Sequence, residues 1–184
     1  LIKKSVNQNY KDSQIVLINL YNNFNFSNGK YYDMTKAVNL YEILAKQGDM
    51  EYQSILSREY IKGEHVKQDF EKAFEWAEKS ANQGSISGQY NLGVLYFNGK
   101  GVEQDYTKAI ELFEKSANQG STVSQNTLGE IYIEGKGVEI NKAKAYQYWN
   151  MAKDNSSKAK ENIKKLCSDP FNSEICKKKK NKFF

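Results

Sequence analysis

Proline is almost missing from this chain: 184 residues hold one, Pro170. So few helix breaks, together with many Ala, Lys, Glu and Gln residues, favour helix over strand. Histidine is equally scarce. His65 stands alone, so any Ser/His/Asp or Cys/His constellation would have to use it. A structural zinc site needs about four N or S ligands, and His65, Cys167 and Cys176 are only three candidates, far apart in sequence. His65 therefore reads as a turn residue, and no metal or cofactor is expected. No apolar run approaches the roughly 20 residues that span a bilayer, so no integral membrane segment is predicted. The sequence opens on Leu1 rather than Met, which makes the lack of a signal peptide uninformative about export.

Positive charge is also scarce where a nucleic-acid reader would need it. The net charge is +5, yet residues 49–156 carry 12 basic and 16 acidic side chains. The excess lies outside them: 6 basic against 3 acidic in residues 1–48, and 9 against 3 in residues 157–184. Nucleic-acid binding calls for basic side chains along a folded face, so no nucleic-acid partner is expected. The run Lys177–Lys180 with Lys182 is more simply a solvated tail than a phosphate- or membrane-binding patch.

What the sequence does have is a repeat. EKSANQG occupies residues 78–84 and recurs at 114–120, 36 positions on. The same offset links Gly99 to Gly135, Gly101 to Gly137, Leu92 to Leu128 and Gly93 to Gly129. Backwards it reaches Leu56, Tyr60, Gly63, Asp69 and Ala73, and more faintly Leu20, Asp33, Ala37 and Gly48. Four ungapped units result: 13–48, which is degenerate, then 49–84, 85–120 and 121–156. Residues 1–12 form an N-terminal extension, 157–176 a capping helix with a cysteine-flanked turn, and 177–184 a basic tail.

Each unit reads as two helices. Leu92, Leu95 and Tyr96 follow helical spacing, Gly99-Lys100-Gly101 ends that helix, and Asp105 stands where an N-cap belongs. Asp33, Asp69 and Asn141 hold the same place in their units, and Ser121 can cap the next first helix. Ala109, Leu112, Phe113 and Ala117 then face inward on a second helix. Gly93 and Gly129 lie inside helices, where glycine costs about 1 kcal/mol relative to alanine. Their recurrence predicts close approach of the partner helix, with Ala109 or Ala145 opposite. The equivalent residue is Ser57 in the second unit and a bulky Tyr21 in the first.

The residues Leu92-Gly93, Tyr96, Gly99, Gly101-Val102, Asp105, Lys108-Ala109, Leu112-Phe113 and Gln119-Gly120 resemble the Sel1-like repeat, a relative of the tetratricopeptide repeat. The next unit repeats the pattern through Leu128-Gly129, Tyr132, Gly135, Gly137-Val138, Asn141, Lys144-Ala145 and Tyr148-Trp149. Two departures stand out: His65 in place of the second loop glycine, and Ser156 in place of a closing glycine. The resemblance implies an all-α superhelical solenoid that binds another protein in a concave groove and performs no catalysis. It also implies a setting in cell-envelope assembly, host interaction or immunity against a secreted toxin.

If first helices line such a groove, its walls are Arg58, Ile61 and Lys62; then Ser87, Tyr90, Val94, Phe97 and Asn98; then Asn126, Glu130, Ile133 and Glu134. Glu51, Ser54 and Val123 belong to the same stripe. Tyr90 and Phe97 are its aromatic anchors, since aromatic residues concentrate binding energy at interfaces. They serve equally well as packing against a neighbouring unit. Glu71, Glu75, Glu78 and Lys79 should lie on the outer, solvated side.

The GKG loops lack the spacing and the Ser or Thr of a nucleotide-binding loop. Ser27–Lys30 and Ser157–Lys160 are Ser-x-x-Lys strings, the alternative being a cell-wall amide hydrolase of the β-lactamase or penicillin-binding type. Some Sel1-like proteins carry that label, but the companion motifs are absent here, and Ser157 serves as an N-cap or first-turn residue. Cys167 and Cys176 flank Asp169-Pro170. They form either a disulfide closing the cap in a periplasmic or secreted protein, or two thiols in a cytoplasmic one.

Overall fold

The computed structural model describes residue 12 and residues 34–177. The opening of the first unit, with Tyr21, Asp33 and the Ser27–Lys30 string, and the tail beyond Lys177 lie outside the described residues. Every regular element among the described residues is helical. In order these are α1 (Met34–Lys46), α2 (Met50–Lys62), α3 (Phe70–Asn82), α4 (Ile86–Asn98), α5 (Tyr106–Asn118), α6 (Thr122–Glu134), α7 (Lys142–Ala152), α8 (Ser157–Ser168), a 3-10 turn at Pro170–Asn172, and α9 (Ser173–Lys177).

The repeat period reappears in the helix starts. First helices open at residues 50, 86 and 122, and second helices at 34, 70, 106 and 142. Local chemistry sets these starts. Asp69, Asp105 and Asn141 each accept the N–H of the third residue onward, from Lys72, Lys108 and Lys144 at 3.0, 2.9 and 2.9 Å. Ser121 does the same for Ser124, at 3.2 Å, and Asp49 accepts the N–H of Glu51, two residues on, at 3.0 Å. Each such cap contributes about 1 kcal/mol. Ser156, at a position that closes the earlier units, instead caps α8 by accepting the N–H of Ala159 at 3.1 Å, which leaves Ser157 in the first turn.

The chain divides into two compact units, residues 1–91 and 92–184. In the first, Val38, Tyr41 and Leu44 of α1, Leu56 and Tyr60 of α2, and Ala73 and Ala77 of α3 are buried. Polar clasps tie these helices together. Gln53 donates to the Ala45 carbonyl at 3.0 Å, and Ser80 Oγ donates to the Met50 carbonyl at 2.7 Å. In the second unit, Leu95, Ile110, Phe113, Leu128, Ile131, Tyr132 and Trp149 form the core, and Ala159 and Leu166 of α8 join it. Here Gln125 donates to the Ala117 carbonyl at 3.0 Å. It is the counterpart of Gln53 two periods on.

Gly93 and Gly129 do mark close helix approach, and the nearest atoms belong to an aromatic ring on the partner helix. A Cβ on Gly93 would lie 2.7 Å from Phe113 Cε1, and one on Gly129 would lie 2.2 Å from Trp149 Nε1. The ring one turn beyond each alanine fills the space. In the second repeat the corresponding pair is Ser57 with Ala77, both fully buried, so a larger residue on one helix goes with a smaller one on the other. Gly137 is constrained twice over: its φ is +72°, and Tyr106 lies where a Cβ would go.

Candidate partner-binding faces

The first-helix stripe predicted as a groove falls partly in each of the two compact units. In the first unit, Arg58, Lys62 and Ser87 are exposed, and Ile61 and Tyr90 are half-buried. Ser54 does not belong to an open surface. It is buried, with its carbonyl accepting from Asn91 Nδ2 at 2.9 Å. Lys62 lies 3.6 Å from Glu64. Arg58 lies 3.7 Å from Glu59, whose carboxylate is buried and meets His65 Nδ1 at 2.7 Å. His65 therefore does more than occupy a turn, since it supplies the close partner of a buried acid.

In the second unit, Asn98 and Glu134 are exposed and Val94 is half-buried. Phe97 packs edge-on against Tyr106, with centroids 4.9 Å apart, and lies 6.3 Å from Phe113. Removing it would cost internal packing as well as any partner contact. Glu134 pairs with Lys136 at 2.5 Å. The cap covers part of the last stretch of the stripe. Asn126 Nδ2 donates to Ser156 Oγ at 2.9 Å, and Glu130 is paired with Lys158 at 2.6 Å. These two residues hold α8 in place. Sequence spacing alone places them on the groove wall.

Ile133 remains available and lines an open cleft of about 270 Å³ with Trp149, Asn162, Lys165 and Leu166. Its walls are apolar on α6 and α7 and mixed on α8. The spacing of α6 pointed to Ile133. The contribution of α8 could not be read from sequence, because its packing depends on the break in period at Ser156.

A second recurring arrangement joins a second-helix carboxylate to a tyrosine 18 residues on. Tyr60 donates to Glu42 at 3.0 Å, while Tyr132 and Tyr148 both donate to Glu114, at 3.3 and 3.0 Å. Tyr132 and Tyr148 stack with centroids 5.8 Å apart, and the Lys144 ammonium sits 4.7 Å from the Tyr132 ring centre. Burial, then the hydrogen bond and charge of Glu114, raise the Tyr148 phenol above its ordinary range. The same causes, with Glu42, push Tyr60 up from 10.0 to about 12. A phenol whose folded pKa is raised contributes stability that is whole below about pH 10 and is lost as pH climbs toward 12. Tyr60→Phe should therefore flatten the alkaline limb of stability against pH, measured by urea melts at about pH 9 and about pH 11. An unchanged slope would show that Tyr60 does not carry it.

Elsewhere the candidate chemistry is sparse. Ser157 and Lys160 are both exposed in the first turn of α8, whereas a lysine that activates serine is held desolvated beside it. Among the described residues no three His, Cys, Asp or Glu side chains gather into a metal-binding group, and no helix is long and apolar enough to cross a membrane. Cys167 and Cys176 are joined, with Cα atoms 6.0 Å apart.

Against known proteins, a family model described as Sel1 repeat matches residues 26–49, 51–85, 86–121 and 122–157. No curated protein matches. Among solved structures, c5321, a protective antigen of uropathogenic Escherichia coli strains with an SLR fold, is 30% identical at a TM-score of 0.70. That match covers 84% of this chain and 32% of the antigen. A Sel1 repeat protein from Oxalobacter formigenes is 24% identical at a TM-score of 0.74, over 85% of this chain and 63% of its own. Helicobacter pylori cysteine rich protein B is 24% identical at a TM-score of 0.55, over 73% of this chain and 98% of its own. The chain thus spans about a third of the first protein's length and under two thirds of the second's.

Proposed function

This chain belongs to the Sel1 repeat family, and on that footing we propose that it is a non-catalytic scaffold binding a polypeptide partner on its first-helix faces. Sel1 repeats commonly serve as protein–protein interaction scaffolds. The observation that carries the reading here is the cleft at Ile133, with Trp149 and Leu166 as apolar walls and Asn162 and Lys165 as polar ones. An apolar pocket with a few polar groups at its edge suits one anchoring side chain of an incoming segment, with hydrogen bonds to the segment's backbone. The Cys167–Cys176 bond supports an oxidising compartment, periplasmic or extracellular. A protective antigen among the relatives supports a setting in which the chain meets a host.

The test uses the purified chain and a displayed peptide library. Selected peptides should lose at least about tenfold in affinity for Ile133→Asp, which places a charge in the cleft, and for Asn162→Trp, which fills it from the rim. Thermal melts of both variants establish that the fold survives. Peptides that bind both folded variants as well as wild type, or that protect the side bearing Glu71 and Glu75, would overturn the proposal.

A further inference from the structure

The cleft at Ile133 and the disulfide are parts of one construction. Three of the five cleft residues, Asn162, Lys165 and Leu166, come from the C-terminal half of α8. The N-terminal half of that helix is held to α6 by Asn126 and Glu130, through Ser156 and Lys158. Its C-terminal half is held otherwise. Leu166 is followed at once by Cys167, whose bond to Cys176 closes the turn at Pro170–Asn172 and the short α9 back onto α8. Inside that loop Asn172 is buried at 5% exposure. Its Nδ2 donates to Asp169 Oδ2 at 2.9 Å and to the Leu166 carbonyl at 3.2 Å, one of the last-turn carbonyls that a helix end leaves without a partner. Its Oδ1 accepts from Lys142 Nζ, at the start of α7, at 3.1 Å. The closed turn thus ties the cleft-lining end of α8 to α7, whose Trp149 is another cleft wall.

A helix as short as α9 does not persist by itself in water, so the turn depends on its covalent closure. The core of the same unit does not. Leu95, Phe113, Leu128 and Trp149 are buried on helices that the bond leaves untouched. Both cysteines are half-buried, which leaves the bond within reach of thiol–disulfide exchange. Building on the peptide-binding reading of the cleft, we propose that closing Cys167–Cys176 switches partner binding on. The chain is a weak binder while its thiols are reduced and a competent one after oxidation. In the closing step each Sγ–H loses its proton and a bond forms between the two Sγ atoms. Two electrons pass to the S–S bond of a disulfide-bearing oxidant, which leaves as two thiols carrying those protons. Binding then follows the compartment, weak where a thiol pool keeps cysteines reduced and strong outside it.

Peptides selected on the oxidised full chain supply the probe. Cys167 and Cys176 are the chain's two cysteines, so reduction with dithiothreitol acts nowhere else. In the reduced chain, and in the double variant Cys167→Ser with Cys176→Ser, peptide affinity should fall at least about tenfold, the drop expected when the assembled cleft is populated about a tenth of the time. Glutathione disulfide should restore it in the wild-type chain and not in the variant. The helical circular dichroism signal should persist, while amide exchange should quicken at residues 162–168 and not in α6. Equal affinity of the oxidised and reduced forms overturns the proposal and leaves the cleft standing as a peptide site. Unchanged exchange at residues 162–168 overturns it too. So does collapse of the whole helical signal on reduction, since the bond would then hold the fold rather than the cleft. If the oxidised chain captures no peptide, the cleft is no peptide site and the proposal falls with it.

Discussion

Gly88→Ala is expected to destabilise the chain by about 3 kcal/mol, at the upper end of the usual range for overpacking, although alanine in a helix interior normally gains about 1 kcal/mol over glycine. The added methyl would lie 2.4 Å from Ser80 Oγ, 2.6 Å from Ser80 Cβ and 2.7 Å from the Ala81 backbone nitrogen. Ser80 cannot swing clear without cost, because its hydroxyl donates to the Met50 carbonyl at 2.7 Å. The Ala81 nitrogen is main chain and has no rotamer to change. The start of α4 must therefore lift away from α3, exposing part of what they bury. Gly84→Ala is the useful contrast. Its φ is +88° and nothing lies within 4 Å of the added atom, so only the backbone penalty of about 1 kcal/mol applies. Urea denaturation of the two variants decides the matter. If Gly88→Ala is no less stable than Gly84→Ala, the α3–α4 contact is not the tight crossing described above.

The pair Glu59 and His65 should show the largest non-additivity in the molecule. Glu59 stands where later units have Leu95 and Ile131, and His65 where they have Gly101 and Gly137, so one repeat departs from the pattern at two positions. Those two side chains meet at 2.7 Å, with the Glu59 side chain 5% exposed. Taking away one partner of a buried pair leaves an acid that is neither hydrated nor well paired, at a cost of about 3 kcal/mol. His65→Gly is thus expected to lose about that much, since Arg58, at 3.7 Å and half in solvent, replaces the imidazole poorly. Adding Glu59→Leu should recover most of the loss, because an apolar residue of similar volume is often at least as stable as the pair it replaces. A double-mutant cycle by urea denaturation measures the coupling. Strict additivity of the two changes would mean that the contact contributes nothing.

Much of the fold was legible because the signals are local. Asp69, Asp105 and Asn141 are caps wherever they occur before a helical run, and a pattern repeated every 36 residues places each helix relative to the last. The binding face was legible only in part. Spacing along α6 put Asn126, Glu130 and Ile133 on one stripe, but α8 takes the first two through Ser156 and Lys158 and leaves the third open to the cleft. Spacing along α2 likewise offered Ser54, which the structure buries beside Asn91. Gln53 and Gln125 carried a signal that periodicity could have revealed, a glutamine recurring in register on each first helix, yet nothing in the pattern said it would clasp the preceding carbonyl.

By itself, then, the sequence determined the helix pairs, their caps and their family, since capping and amphipathic spacing are properties of neighbours along the chain. Tertiary structure alone decided which ring sits on Gly93 and Gly129, which acid His65 meets and which stripe residues stay open. The reason is geometric: a helix's period fixes the direction in which a side chain leaves the axis, and only the packing of the next helix fixes what it finds there.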